Sequence, residues 1–143
     1  MITFKFITMG LFNFLKPTSK KDQFVTESDF NSNWEIHMQM TPLTLQQLRK
    51  LSVTADKELK LEFFFYTNTA EKAALFAAEI EKLNYTVGHG VSAGDKNCFL
   101  VRGWTTKMKM ADEVVAEWTK QMCELGYKYD CEFDGWGTIP DQE

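Results

Sequence analysis

The run from Tyr127 to Thr138 constrains the fold more strongly than any other part of this sequence. Its first eight residues alternate between apolar and polar side chains. A period of two places successive side chains on opposite faces of a strand, so the run predicts a half-buried C-terminal β-strand. The apolar set is Tyr127, Tyr129, Cys131 and Phe133, and the polar set is Lys128, Asp130, Glu132 and Asp134.

The alternation breaks at Asp134-Gly135, and Trp136 falls on the polar parity. An Asp-Gly pair favours a turn or a β-bulge with a positive φ. A bulge would return the Trp136 indole to the apolar face, whereas a turn would leave it displayed at the end of the sheet. Gly135 and Gly137 are therefore predicted to shape the backbone at this point.

Two similar halves lead up to this strand. Residues Glu58–Tyr66 alternate as a strand, and apolar positions spaced by three and four predict a helix over about 70–83. Strands over 85–91 and 97–105 follow, then a helix over about 111–125 that Gly126 would end. The order predicts an α+β, ferredoxin-like β-α-β-β-α-β sandwich: a four-stranded antiparallel sheet with two helices on one face. Right-handed crossovers would place the first and third strands centrally and the others at the edges.

Residues 1–56 are predicted to form an N-terminal extension before the domain at 57–139, with 140–143 as a tail. Leu11, Phe12 and Leu15 are spaced as one apolar helical turn. The alternation from Trp34 to Met40 predicts a short strand, and Thr41-Pro42 predicts the start of a short helix over about 42–52. We expect residues Trp34–Ser52 to cover part of the sheet face that the two long helices leave open.

Nothing in the sequence predicts a reaction, a metal site or a cofactor. The two histidines, His37 and His89, have no nucleophile placed beside them in the predicted strands. Three cysteines cannot all pair and form no Cys-x-x-Cys motif, so buried free thiols in a reducing cytoplasm are expected. The carboxylates of Asp130, Glu132 and Asp134 have a spacing that glycosidases use, but nothing else marks a sugar cleft. We therefore predict a protein without enzymatic activity.

Charge and aromatic content indicate a protein partner. Residues 1–110 hold 14 basic and 11 acidic side chains, whereas residues 111–143 hold 2 basic and 9 acidic ones. An acidic C-terminal third disfavours nucleic acid and suits a basic protein. No membrane span is expected, because the apolar N-terminal run is too short. An uncovered sheet face would allow a homodimer. The predicted partner-binding residues are Asp130, Glu132, Asp134 and Trp136.

The segment Phe-Asp-Gly-Trp-Gly-Thr at 133–138, after a helix-Gly-Tyr junction, resembles the end of the regulator of ribonuclease activity B (RraB) family. The resemblance extends back through Leu59–Tyr85 and Cys98–Leu125. It implies a small cytoplasmic protein that binds RNase E and restrains its endonuclease activity, which would alter RNA turnover. The alternative is a binding module of another kind, such as an immunity protein that neutralises a toxin through the same acidic surface.

Overall fold

The computed structural model describes residues 4–5 and 22–142, and the structural statements below concern this part of the chain. The predicted apolar turn at residues 11–15 lies outside it. Three helices and seven strands occur in the order β1 (Phe4–Lys5), α1 (Glu27–Lys50), β2 (Glu58–Leu59), β3 (Leu61–Thr67), α2 (Ala70–Glu81), β4 (Thr86–Val91), β5 (Phe99–Trp104), β6 (Met108–Lys109), α3 (Asp112–Lys128) and β7 (Glu132–Thr138).

The main sheet has five antiparallel strands in the order β1-β7-β3-β5-β4. The predicted α+β class is therefore confirmed. Strands β3 and β5 lie inside the sheet, as predicted for the first and third strands of the repeated pattern. Strand β4 forms one edge, as predicted for the second strand. The prediction that the last strand forms the other edge is wrong, because β7 is flanked by β3 and, at Gly137–Thr138, by β1. A separate two-stranded sheet joins β2 to β6.

The core lies between this sheet and the helices. Alternate residues of β3 point towards α2, whose buried side presents Phe76 and Ile80. The rings of Phe65 and Phe76 meet edge to face with their centroids 4.5 Å apart. Helix α3 adds Val115, Trp118 and Met122 to the same cluster. Because these side chains repeat every three or four residues on each helix, most of each predicted apolar stripe is confirmed. Leu83 and Val114, which were predicted to belong to the two stripes, are instead exposed.

Helix α1 overturns two expectations. The predicted strand at Trp34–Met40 is wrong, because these residues lie inside one 24-residue helix that begins at a Thr26 capping box. The predicted start of a short helix at Thr41-Pro42 is also wrong, because the same helix continues through Pro42 to Lys50. The apolar alternation gave a wrong prediction because polar residues occupy much of the buried side of α1. Those residues are Asn33, His37, Thr41 and Thr44, which precede Leu45 and Leu48 at helical spacing. This polar content hid the 3.6-residue period of the helix.

Helix α1 packs on the same face of the sheet as α2 and α3. The His37 ring lies 4.7 Å from the ring of Phe133 on β7, and the Phe133 ring lies 6.0 Å from the Trp118 ring on α3. The expectation that Trp34–Ser52 covers the opposite face is therefore wrong. Three helices share one face, and α1 extends that layer over the β7 side of the sheet.

The C-terminal strand begins later than predicted. Helix α3 continues through Gly126 to Lys128, and β7 starts at Glu132. Gly126 does not end the helix; it allows close packing, since a Cβ there would lie 2.6 Å from the Cys131 carbonyl oxygen. The alternating aromatics at 127 and 129 are helical and capping residues, and Tyr127 stacks on Phe30 with centroids 4.6 Å apart.

Candidate functional site

Asp130 joins three separate parts of the chain. It has a φ of 59°, in the left-handed region that Asp and Asn tolerate better than most residues, at the turn between α3 and β7. Its carboxylate accepts hydrogen bonds from the backbone N–H groups of Phe24 (2.8 Å) and Val25 (2.7 Å). The Lys72 ammonium group on α2 lies 2.6 Å from the same carboxylate and also donates to the Asp22 carbonyl oxygen. Asp130 thus fastens the chain before α1 to the rest of the fold.

A β-bulge returns Trp136 to the core. Phe64 pairs with Gly135 while Phe65 pairs with Phe133, so the register shifts by one residue at Asp134. Gly135 has a φ of 136°, a conformation that residues with a Cβ rarely adopt. Of the two alternatives that the sequence left open, the structure therefore shows the bulge. The Trp136 side chain is 1% exposed, and its Nε1–H donates to Thr41 Oγ1 at 3.1 Å.

Gly137 differs from Gly135. It has no positive φ and lies in regular pairing, opposite Lys5 of β1 and Glu62 of β3. The bulge is therefore formed at Asp134 and Gly135, and Gly137 takes no part in it.

Glu132 and Asp134 lie on the sheet face that points away from the helices, which we call the polar sheet face. Glu132 pairs with Tyr66, and burial together with the nearby Asp134 charge raises the pKa of that tyrosine. On the same face, Arg102 forms an ion pair with Glu62 at 2.5 Å and lies over the Phe64 ring at 5.2 Å. The residues of the polar sheet face are Glu62, Phe64, Tyr66, Arg102, Glu132 and Asp134.

The predicted acidic row is not a solvated strand face. Glu132 and Asp134 are each 4% exposed, and Asp130 precedes the strand instead of lying on it. The expectation of a regularly spaced row of exposed carboxylates is therefore wrong, because the helix end and the bulge set the three residues apart. The role of Asp130, Glu132, Asp134 and Trp136 in binding a partner stays a prediction.

The titratable groups with strongly shifted pKa values are buried structural groups. All three cysteines are buried and free, as predicted, and burial raises the pKa of the Cys123 thiol to about 12. Within residues 22–142 no group of three or more His, Cys, Asp or Glu side chains could hold a metal ion. The histidine of α1 is fully buried, and its Nε2–H donates to the Phe133 carbonyl oxygen at 3.0 Å. The Asn33 side-chain amide donates to the same oxygen at 2.8 Å.

The buried histidine predicts a loss of stability in mild acid. Burial lowers the pKa of His37 to about 4, although the hydrogen bond to Phe133 opposes this effect. In the unfolded chain a histidine titrates near 6.5, so between pH 6.5 and pH 4 the unfolded state binds more protons. The contribution of His37 to stability is complete above pH 6.5 and falls as the pH is lowered, by about 2 kcal/mol at pH 5.

Urea unfolding of the wild-type protein and of His37→Gln from pH 7.5 to pH 4.5 measures this effect. Glutamine can donate to the Phe133 carbonyl oxygen but does not titrate. Since the carboxylates titrate in both proteins, the difference between the two curves isolates the histidine. The wild type should lose more stability than the variant on acidification, and parallel curves would show that burial of His37 does not disfavour its protonation.

Helix α3 carries most of the exposed acidic surface near the C-terminus. Glu113, Glu117 and Glu124 are all exposed and lie along one side of the helix. Asp112 lies outside this row and forms an ion pair with Arg49 at 2.9 Å. The sequence predicted an acidic C-terminal third, but the predicted contact residues are those of the last strand and not those of α3. The signal that could have placed the acidic surface on α3 is the spacing of four and seven residues, which keeps side chains on one side of a helix.

The described helices include none that is long and apolar enough to cross a membrane. A search among curated proteins found no match to this chain. The family model described as regulator of ribonuclease activity B matches residues 39–138, which is more than two thirds of the sequence and includes every element from the second half of α1 to the end of β7. This chain therefore belongs to the RraB family.

Proposed function

We propose that this protein binds RNase E through a protein–protein interface and restrains its cleavage of RNA, without catalysing a reaction itself. The observation that carries the proposal is the family match over residues 39–138, whose description is that of a regulator of ribonuclease activity. The element order from β3 to β7 supports a ferredoxin-like arrangement for this part of the chain. Three free, buried thiols support a location in the reducing cytoplasm.

The chemistry of the described residues supports regulation by binding. The thiols and His37 are buried away from solvent, so they offer no accessible nucleophile or base. The exposed carboxylates of α3 instead give the C-terminal third a negative surface. Such a surface speeds the encounter with a positively charged protein and disfavours the phosphate backbone of RNA. Inhibition would then follow from occupying a surface of the ribonuclease and not from competing for its RNA.

The test uses purified protein and purified RNase E from the same organism. We expect saturable binding, and a fall in the cleavage rate of a short RNA that follows the same concentration dependence. A direct titration of the protein with that RNA should show no binding. If RNase E does not bind this protein and its cleavage rate does not fall, the proposal is overturned. Sedimentation of the protein alone measures whether the predicted homodimer forms.

The predicted contact residues are tested in the same assay by isosteric amides. Asp130→Asn, Glu132→Gln and Asp134→Asn remove charge with little change of shape, whereas Trp136 is left intact because its indole belongs to the core. Since the Asp130 carboxylate holds residues 24–25 and Glu132 and Asp134 are also buried, thermal unfolding of these variants is measured beside binding. A control set of the same size, Glu27→Gln, Glu35→Gln and Glu58→Gln, removes three exposed charges elsewhere. Weaker binding by the first set alone, with an unchanged circular dichroism spectrum, would support these contacts. Equal binding by both sets would show that Asp130, Glu132 and Asp134 do not contact the partner, and it would leave the proposed function unchanged.

A further inference from the structure

A groove runs along the exposed side of α3, where this helix faces the end of α2 and the start of β4. We call it the α3 groove. One half has a volume of about 470 Å³ and the other about 330 Å³, and Gln121 lines both halves. The first half is lined by Tyr85, Met108, Glu113, Val114, Glu117 and Trp118. The second half is lined by Leu83, Met122, Glu124, Leu125 and Lys128.

The floor of the α3 groove is apolar and held in place. Trp118 and Met122 are buried core residues whose edges form this floor. The indole Nε1–H of Trp118 donates to the Tyr85 hydroxyl at 3.2 Å, which fixes the orientation of both rings. Residues that dominate binding energy commonly lie in well-packed sites with large aromatic side chains. Because the side chains of such a site are already ordered, association costs little conformational entropy.

Two aliphatic side chains stand exposed in the α3 groove. Val114 is 38% exposed in one half, and Leu83 is 41% exposed in the other. Other exposed aliphatics, such as Leu43 and Leu75, line neither half of the groove. Single exposed aliphatics are common on protein surfaces, but two that line one groove together with half-buried Tyr85 give the groove an apolar strip.

The rim of the α3 groove is acidic. Glu113, Glu117 and Glu124 line it, and Lys128 at one end is the one cation among its lining residues. Within residues 22–142 no cation lies within ion-pair distance of the three glutamates. The eleven residue steps from Glu113 to Glu124 extend about 16 Å along the helix axis. A row of negative charge beside an apolar strip of this length is complementary to a helix of about three turns with a basic and an apolar side.

We propose that the α3 groove binds a Lys/Arg-rich amphipathic helix of the partner protein. The apolar side of that helix lies against Val114, Leu83 and the Trp118 floor, and its cations face the three glutamates. The inference rests on the proposed function, in which the partner is the regulated ribonuclease, and names the part of the partner that is recognised. Amphipathic helices commonly bind in such grooves through residues spaced by three, four and seven.

Two sets of substitutions with matched controls test the proposal. Glu113→Gln, Glu117→Gln and Glu124→Gln remove the acidic rim, and Glu35→Gln, Glu58→Gln and Glu71→Gln remove three exposed charges elsewhere. Leu83→Ser with Val114→Ser makes the strip polar, and Leu43→Ser with Leu75→Ser is its control. None of these side chains lies in the core, so all variants should fold, which circular dichroism and thermal unfolding check.

The first readout is the affinity for purified RNase E. We expect each groove set to weaken binding on the order of tenfold and each control set to leave it nearly unchanged. The affinity of the wild type should fall with added salt more steeply than that of the rim variant, because the variant has lost the screened charge pairs. If the wild type binds RNase E and the groove sets bind equally well, the groove inference is overturned while the proposed function stands.

The second readout separates the two proposals. The probe is a synthetic peptide about 20 residues long, with lysines on one side of the helix and leucines on the other, which exceeds the length of about 12 to 15 residues below which isolated helices are marginal in water. If RNase E does not bind, the proposed function fails, but the groove is still tested by this peptide. The groove proposal is supported if the wild type and the control sets bind the peptide and both groove sets do not. Equal binding by all proteins, or none by the wild type, overturns it.

Discussion

Replacing Trp136 with alanine should lower the free energy of unfolding by about 3 to 5 kcal/mol. The indole is 1% exposed and belongs to the main core cluster, so its removal leaves a cavity that neighbouring side chains cannot fill completely. It also removes the hydrogen bond from Nε1–H to the buried Thr41 hydroxyl, which links β7 to α1. Urea unfolding at pH 7.5, monitored by circular dichroism, measures the loss.

Three further variants separate the causes. Trp104→Ala removes the same type of side chain from a half-buried position and should cost much less. Trp136→Phe keeps most of the volume but loses the hydrogen bond, and Thr41→Val removes the acceptor. The two should each cost on the order of 1 kcal/mol. A Trp136→Ala protein as stable as the wild type would mean that the indole does not occupy the core in solution.

Gly103→Ala should destabilise the sheet by on the order of 3 kcal/mol or more. Gly103 lies on β5 opposite Val87 of β4. A Cβ at this position would collide with the backbone carbonyl of Thr86 and lie 2.8 Å from the Val87 Cα. These neighbours are backbone atoms, which cannot rotate away as a side chain can, so β4 would have to separate from β5.

Gly88→Ala on the facing strand is the matched control. A Cβ at Gly88 would have no atom within 4 Å, and the residue has no positive φ. This substitution should be neutral or slightly stabilising, because alanine reduces the conformational freedom of the unfolded chain. Equal loss of stability in both variants would indicate that any side chain is excluded from this pair of strands and that the close approach at Gly103 is not the cause.

Elements with an apolar stripe at helical spacing were predicted better from the sequence than elements with an apolar alternation. The bounds of α2, β4 and β5 fall within a few residues of the predictions. For α2 the reason is the single apolar face that it presents to the core, with Phe76 and Ile80 buried. Helix α1 was not predicted, because polar residues occupy its buried side: Asn33 and His37 both donate hydrogen bonds to a carbonyl oxygen of β7. The end of α3 was predicted too early, because Gly126 was interpreted as a helix cap. In the structure it allows close packing inside the helix, which continues past it.

The candidate site was harder to predict than the fold, because its geometry depends on residues far apart in the sequence. The bulge was one of two outcomes suggested by Asp134-Gly135. The part played by Asp130 depends on Phe24, 106 positions earlier, and on Lys72, 58 positions earlier. Likewise, the acidic row on α3 can be derived from spacing alone, but the apolar side chains of Leu83 and Tyr85 that face it cannot.

The pairing of β3 with β7 has a consequence for how the protein folds as it is synthesised. β3 is an inner strand of the sheet, yet β7, which covers one of its two edges, is the last strand along the described chain. Until β7 leaves the ribosome, the nascent chain has an apolar strand with an open edge and no Asp130 to hold residues 24–25. Such distant contacts slow folding, so the period of greatest exposure to aggregation and to chaperones should be the time before β7 is available to pair with β3.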